Sequence, residues 1–127
     1  MYTYELWCDS EVYVGFTSRS PTVRWEEHKE AAKEGRKTKF YDALRSHSIT
    51  KSSSTIHENE IAALVSEIEK IEFYTKKGIC LNMTAGGEGN NWKVRIRDGK
   101  VEIRPVSKKV KQQRRAWYAR KRRRRRR

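Results

Sequence analysis

The chain has 127 residues, of which 35% are hydrophobic and 36% charged, and a formal net charge of +14. A chain of this size makes one domain with one small core, and no apolar run approaches the roughly 20 residues that cross a bilayer. Its two cysteines, Cys8 and Cys80, are too few and too far apart for a disulfide framework or a CxxC metal pair; they read as reduced thiols, one or both in the core.

Residues 2–8 (YTYELWC) and 12–17 (VYVGFT) are rich in aromatic and β-branched residues with partial alternation. With Asp9-Ser10-Glu11 as a turn between them, they predict an opening β-hairpin. Ser20-Pro21 is a helix start, because Ser caps well and Pro suits the first helical position. That helix should run to about Glu34 and stop at Gly35. Residues 40–47 predict a short second helix, and the polar, β-leaning stretch 48–55 a loop or a poor edge strand.

Thr55-Ile56-His57-Glu58 matches a capping box. Glu58 and Glu60 follow at the start of a long helix, and Lys76, Lys77 and Gly78 stand at its end, as the helix dipole and C-cap preferences require. Ile61, Leu64, Val65, Ile68 and Ile71 recur at helical spacing and form its buried stripe. Residues 79–84 are a short apolar segment, followed by a flexible Gly86-Gly87-Glu88-Gly89 loop. Residues 93–97 and 100–104 alternate on either side of Asp98-Gly99, a strong hairpin signal. Val94, Ile96, Val101 and Ile103 make one face apolar, while Lys93, Arg95, Arg97, Lys100 and Arg104 occupy the other.

The charge is unevenly placed. Residues 1–91 hold 12 Lys and Arg against 14 Asp and Glu, residues 92–106 hold five against two, and residues 107–127 hold 13 against none. The near-neutral body and the basic tail therefore have separate tasks. These three stretches are read as a catalytic-type domain, a basic hairpin extension and an arginine-rich tail. The tail is expected to be disordered or to become helical on binding, and its composition suits a polyanion.

Tyr4, then Tyr13-Val14-Gly15 about ten residues on, then Arg24-Trp25 and His28, together with SEIEKIEFY and LNMTAGGEGN, occur in a fixed order over residues 2–91. This ordered set resembles the GIY-YIG nuclease superfamily. The first motif is degenerate, Tyr2-Thr3-Tyr4, with Tyr4 as its tyrosine; the second is intact as YVG. The resemblance implies an α/β (strictly α+β) fold, a small antiparallel sheet flanked by helices. It further implies DNA phosphodiester hydrolysis by water, with one Mg²⁺ or Mn²⁺ held by a single Glu.

In that frame Tyr13 positions or deprotonates the water and Tyr4 supports it from the neighbouring strand. Gly15 permits close backbone approach to the substrate. Arg24 and His28 are four apart on one helix face; Arg24 clamps phosphate, and His28 bonds the phosphate or a tyrosine, or passes a proton. Glu67, at the core-facing margin of the long helix, is the metal ligand, and the more exposed Glu69 is the second candidate. Asn82 bonds near the substrate or turns the local backbone. Two positions depart from the family: Phe16 directly follows Gly15, where many members carry a polar residue, and Lys70 stands three after Glu67 in place of an aromatic.

The nucleic-acid contacts are assigned to Gly15, to Arg95 and Arg97 of the hairpin, and to Arg114, Arg115, Arg120, Lys121 and Arg122 of the tail. The partner read from this is nucleic acid, DNA ahead of RNA, and not a membrane. Trp117 and Tyr118 suit stacking on an unpaired base. Dimerisation would supply the second active site needed for double-strand cleavage. The N-terminal MYTYELW lacks a secretory signal, so a cytoplasmic location is expected, nuclear in a eukaryote. The rival reading is a non-catalytic DNA- or RNA-binding protein on the same scaffold; a purely electrostatic packaging protein would leave residues 1–91 without a role.

Overall fold

The computed structural model describes residues 1–125; the last two arginines of the tail lie outside the described residues. The chain folds as α+β. Strands β1 (Tyr2–Cys8) and β2 (Glu11–Thr17) are followed by helices α1 (Pro21–Lys33) and α2 (Lys39–Ser46), strand β3 (Lys51–Ile56) and helix α3 (Glu60–Lys76). Strands β4 (Trp92–Arg97) and β5 (Lys100–Pro105) and helix α4 (Lys108–Arg125) complete it. One sheet has the order β2-β1-β3, and β4-β5 forms a second.

The opening hairpin pairs Cys8 with Glu11 and Tyr4 with Gly15. Its loop is therefore two residues, Asp9-Ser10, one shorter than expected, with Asp9 at φ 60°. The β4–β5 turn is as predicted: Asp98 and Gly99 both take positive φ, the geometry whose twist matches a two-residue hairpin. Residues 51–56 become an edge strand on β1, exposed along its whole length, as its polar composition requires.

The side chains of the first sheet alternate between two layers. Tyr4, Leu6 and Cys8 form a core with Phe40 and Leu81, flanked by Trp25, Tyr41 and Leu44 of α1 and α2. On the other side Val14 packs against Ile71 and Cys80, and Leu64 and Ile68 of α3 pack against Val94 of β4. Leu64, Ile68 and Ile71 of the predicted stripe are buried, with Ile61 and Val65 at its margins. Both cysteines are buried and free.

The helix ends show which local signals operate. Helix α1 closes as a Schellman motif: Gly35 at φ 86° donates to the Ala32 carbonyl at 3.2 Å and Arg36 to Ala31 at 3.3 Å. Ser20 holds the N-cap position of α1, yet its hydroxyl makes no capping bond. The proposed capping box is not used. Thr55 and Ile56 are consumed by pairing with Thr3 and Tyr2, so α3 starts later, with the Asn59 side chain accepting from Ala62 N at 2.8 Å.

Residues 79–82 extend the sheet beyond β2. Val12 N donates to Ile79 O at 2.9 Å and Leu81 N to Val12 O at 2.8 Å. The Asn82 amide then continues the ladder as if it were backbone, accepting from Val14 N at 2.9 Å and donating to Val14 O at 2.7 Å. The glycine-rich segment is likewise laid down in a defined path. Glu60, buried two helical turns before Glu67, accepts from Asn90 N at 2.6 Å and Asn91 N at 3.1 Å, while Glu67 accepts from Gly87 N at 2.9 Å.

Gly15 has a steric reason. A Cβ there would lie 2.2 Å from Cζ and 2.3 Å from the hydroxyl oxygen of Tyr4, its cross-strand partner. Gly15→Ala should therefore displace the Tyr4 ring and destabilise the fold by about 1–3 kcal/mol, the usual cost of overpacking a tight core. Urea unfolding of the two proteins measures this; an unchanged midpoint would show that the ring gives way freely.

Candidate active site

Tyr4 of β1 is 1% exposed. Because Gly15 leaves the facing position open, its ring crosses β2 and its hydroxyl reaches His28 Nε2 of α1 at 2.7 Å. His28, also 1% exposed, has its other nitrogen, Nδ1, 3.2 Å from the Tyr41 hydroxyl of α2. Tyr13 meets His28 edge-on at 5.3 Å and stacks on Phe40 at 4.0 Å between ring centres. One strand pair and two helices thus converge on a phenol–imidazole–phenol chain.

Burial sets the protonation of this cluster. It pushes His28 down to about 3, aided by the nearby Arg24 charge, so the imidazole is neutral and one of its nitrogens accepts while the other donates. Burial raises Tyr13 to about 12 and pushes Tyr4 well above the ordinary phenol value, while the Arg24 guanidinium, close to both, pulls each back. Both tyrosines are therefore phenols at neutral pH. Arg24 is half-buried and reaches Glu27 Oε2 at 3.8 Å; Glu27 also pairs with Arg19.

Glu67 stands at the edge of the cluster, 8% exposed, and its charge is felt by both Tyr4 and Tyr13. Burial drives its carboxyl up to about 7, against the stabilising hydrogen bond from Gly87 N. Gly86, at φ 79°, packs so closely that a Cβ would lie 2.9 Å from Glu67 Oε1. Glu69 is exposed on the far side of the helix, and Glu72 is exposed and paired with Lys76 at 3.1 Å.

The sequence-derived set is thus brought together in part. Tyr4, Tyr13, Arg24 and His28 form one cluster, with Glu67 beside it. Gly15 loses its assigned role, while His28 and Asn82 each take one of the alternatives open to them. Gly15 is filled by the Tyr4 ring and offers no backbone approach to a substrate. His28 has both nitrogens occupied by tyrosines, which leaves it to position Tyr4 rather than to grip phosphate. Asn82 spends its amide on Val14, and so aligns β2. Phe16 turns to the α3 layer, among Leu64, Ile68 and Val94, away from the phenols. Lys70 approaches Thr3 Oγ1 at 3.4 Å.

Two contributors had no signal in the sequence. Tyr41 looks like one more core aromatic until α2 folds back on α1. Glu60 reads as a helix-dipole residue until the Asn90-Asn91 backbone meets it. The tail departs most from expectation. It forms α4, with Ser107 Oγ accepting from Val110 N at 3.2 Å, and it docks on the body. Arg114 donates to Gly89 O at 2.7 Å and Lys111 to Asn91 Oδ1 at 3.1 Å, while Arg36 lies 5.5 Å from the Trp117 ring centre.

Arg115 and Arg122 share a cleft with Arg24. Lys121 lies over Trp117 at 4.5 Å, and Arg120 is exposed elsewhere on the helix. Arg95 and Arg97 line a different groove, with Gly86 and Ile68. Among the described residues no three His, Cys, Asp or Glu side chains form a metal-binding group, and no helix is long and apolar enough to cross a membrane. Comparison with family models, curated proteins and solved structures finds no match to this chain.

The two shifted groups act oppositely on stability. Glu67, raised from 4.5 to about 7, contributes stability that is fully present below pH 4.5 and lost as pH rises through 7. His28, lowered from 6.5 to about 3, contributes stability present above 6.5 and lost as pH falls towards 3. Glu67→Gln removes only the first, so between pH 5 and 8 the wild type should lose up to about 3 kcal/mol relative to the variant. Denaturant titrations at several pH values read this directly; parallel curves would place the Glu67 carboxyl in water.

Proposed function

We propose that the chain is a metal-dependent endonuclease of the GIY-YIG type that hydrolyses phosphodiester bonds in DNA. The observation that supports this reading is the convergence of Tyr4, Tyr13, Arg24 and His28 from two strands and a helix, with the buried Glu67 carboxyl alongside. A phosphodiester hydrolase needs a cation fork for the phosphate, oriented hydroxyls for water, and a carboxylate for a divalent ion.

The donor set suits Mg²⁺ or Mn²⁺. Mg²⁺ retains several waters and is held by one or two carboxylates together with substrate phosphate, so a lone Glu67 is sufficient. A cation would also favour the ionised form that burial opposes. When bound, the metal would neutralise charge on the phosphate and lower the pKa of a water.

The chain's own residues do the rest. Arg24 pairs its fork with non-bridging phosphate oxygens. Tyr13, a phenol with a pKa of about 12, orients the attacking water by hydrogen bonding. Tyr4 fixes the geometry between Tyr13 and Arg24, and His28, held neutral, locks the Tyr4 hydroxyl. One such site cuts one strand. A non-catalytic nucleic-acid-binding protein on the same scaffold is the second reading, and what favours it is the use of Glu67 as a latch for Gly87.

Supercoiled plasmid incubated with Mg²⁺ or Mn²⁺ separates the two readings. The wild type should nick it. Arg24→Ala and Glu67→Gln should each be slower by about 100-fold or more while retaining DNA binding; Glu67→Gln keeps the carbonyl that Gly87 needs. Binding without cleavage by the wild type under either metal would establish the non-catalytic reading. Normal cleavage by Glu67→Gln with loss in Glu69→Ala would move the metal to Glu69.

A further inference from the structure

Helix α4 bridges rather than trails. Its first half is pinned to the Gly89–Asn91 loop through Lys111 and Arg114, and Trp117 reaches Arg36 beyond α1. Beneath it lies a cleft of about 680 Å³, with Arg24, Thr17 and Asn90 on the body side and Arg115, Tyr118 and Arg122 on the helix side. Positions 115, 118 and 122 are three and four apart, one stripe of an α-helix, so two guanidinium groups and a phenol face the same space.

We infer that α4 is the second wall of the candidate site, and that the cleft holds an unpaired nucleic-acid strand. The inference rests on the nuclease reading for the role of Arg24. Phosphates pass between Arg24 on one wall and Arg115 and Arg122 on the other, and a base lies against Tyr118. The acids in the cleft do not oppose this. Glu27 is paired with Arg19 and Arg24, and Glu88 with Lys93 at 3.6 Å.

Size and chemistry argue for an unpaired strand over a duplex. The cleft falls within the range of about 300–1,000 Å³ typical of small-molecule pockets, room for a nucleotide or two. A duplex takes a helix into its own major groove, about 12 Å wide, and so would meet the outer side of α4 at Arg120 and Arg123 instead. A basic groove with an aromatic platform is the recurrent solution for single strands. This assigns the tail a task that its charge alone does not: choosing which strand reaches Arg24.

The test is binding, measured apart from cleavage. Fluorescence anisotropy with the Glu67→Gln chain compares a labelled single-stranded deoxyoligonucleotide, its ribo-counterpart and the DNA duplex; the wild type in EDTA serves equally should Glu67→Gln unfold. Single strands should bind more tightly than duplex, and the tighter of the two single strands identifies the sugar preferred. Tyr118→Ala, and separately Arg115→Ala with Arg122→Ala, should weaken single-strand binding by about tenfold or more and duplex binding much less. The outward pair Arg120→Ala with Arg123→Ala should affect both substrates alike. Tighter duplex binding, or equal losses from the inward and outward pairs on both substrates, overturns the proposal. Absence of plasmid cleavage by the wild type overturns the nuclease reading alone, since the anisotropy comparison is unaffected by it.

Discussion

Everything at the candidate site depends on one steric fact: the Tyr4 ring crosses β2 where Gly15 has no side chain. That crossing carries a hydroxyl from the central strand to the buried His28 on α1 at 2.7 Å. It ties the sheet to the helical layer with a bond that has no water to compete with it. It also holds Tyr4 where Tyr13 and Arg24 can reach it. A neutral imidazole is the right partner here, because it accepts from one phenol and donates to the other without burying a charge. The burial that drives His28 down to about 3 thus keeps the network satisfied across the physiological range.

The second device is a pair of glutamates on α3, Glu60 and Glu67, seven residues and so about two turns apart. Each uses a buried carboxyl to accept backbone N–H groups from the glycine-rich segment. The glycines there are small because the helix is near: Cβ atoms at Gly86 and Gly89 would lie 2.9 Å and 2.8 Å from the two carboxylates. This makes Glu67 serve two ends. The Gly87 bond fixes the direction of the carboxyl, and burial keeps that carboxyl in want of a positive charge.

Much of the fold was legible in the sequence. The alternation of 2–8 and 12–17, the Asp98-Gly99 turn and the stripe from Ile61 to Ile71 each reflect a period that packing enforces. The legible part of the candidate site was the part carried by local spacing, which brings Tyr4, Tyr13, Arg24, His28 and Glu67 near one another. What failed was decided by long-range pairing. Thr55 and Ile56 look like a helix start, but β1 offers them a full ladder, and the cap passes to Asn59. Asn82 looks like a turn or substrate residue, yet β2 needs its amide. Nothing local marks the partners of Tyr41 and Glu60, since those partners lie on other elements.

The tail shows the same limit in energetic form. Thirteen positive charges without an acid repel one another, and the lysines at the start of α4 oppose the helix dipole. The body, near neutral over residues 1–91, supplies little attraction to offset this. Helix α4 therefore leans on discrete contacts: the Ser107 cap, Arg114 on Gly89 O, Lys111 on Asn91 and Trp117 between Arg36 and Lys121. All but the cap lie on the body-facing side, and all precede the arginine run. On the proposed reading a polyanion in the cleft would change the balance, because phosphates beside Arg115 and Arg122 would screen the repulsion that works against the helix. Ligand and wall would then stabilise each other, and by linkage whatever tightens α4 on the body would tighten a strand bound beneath it.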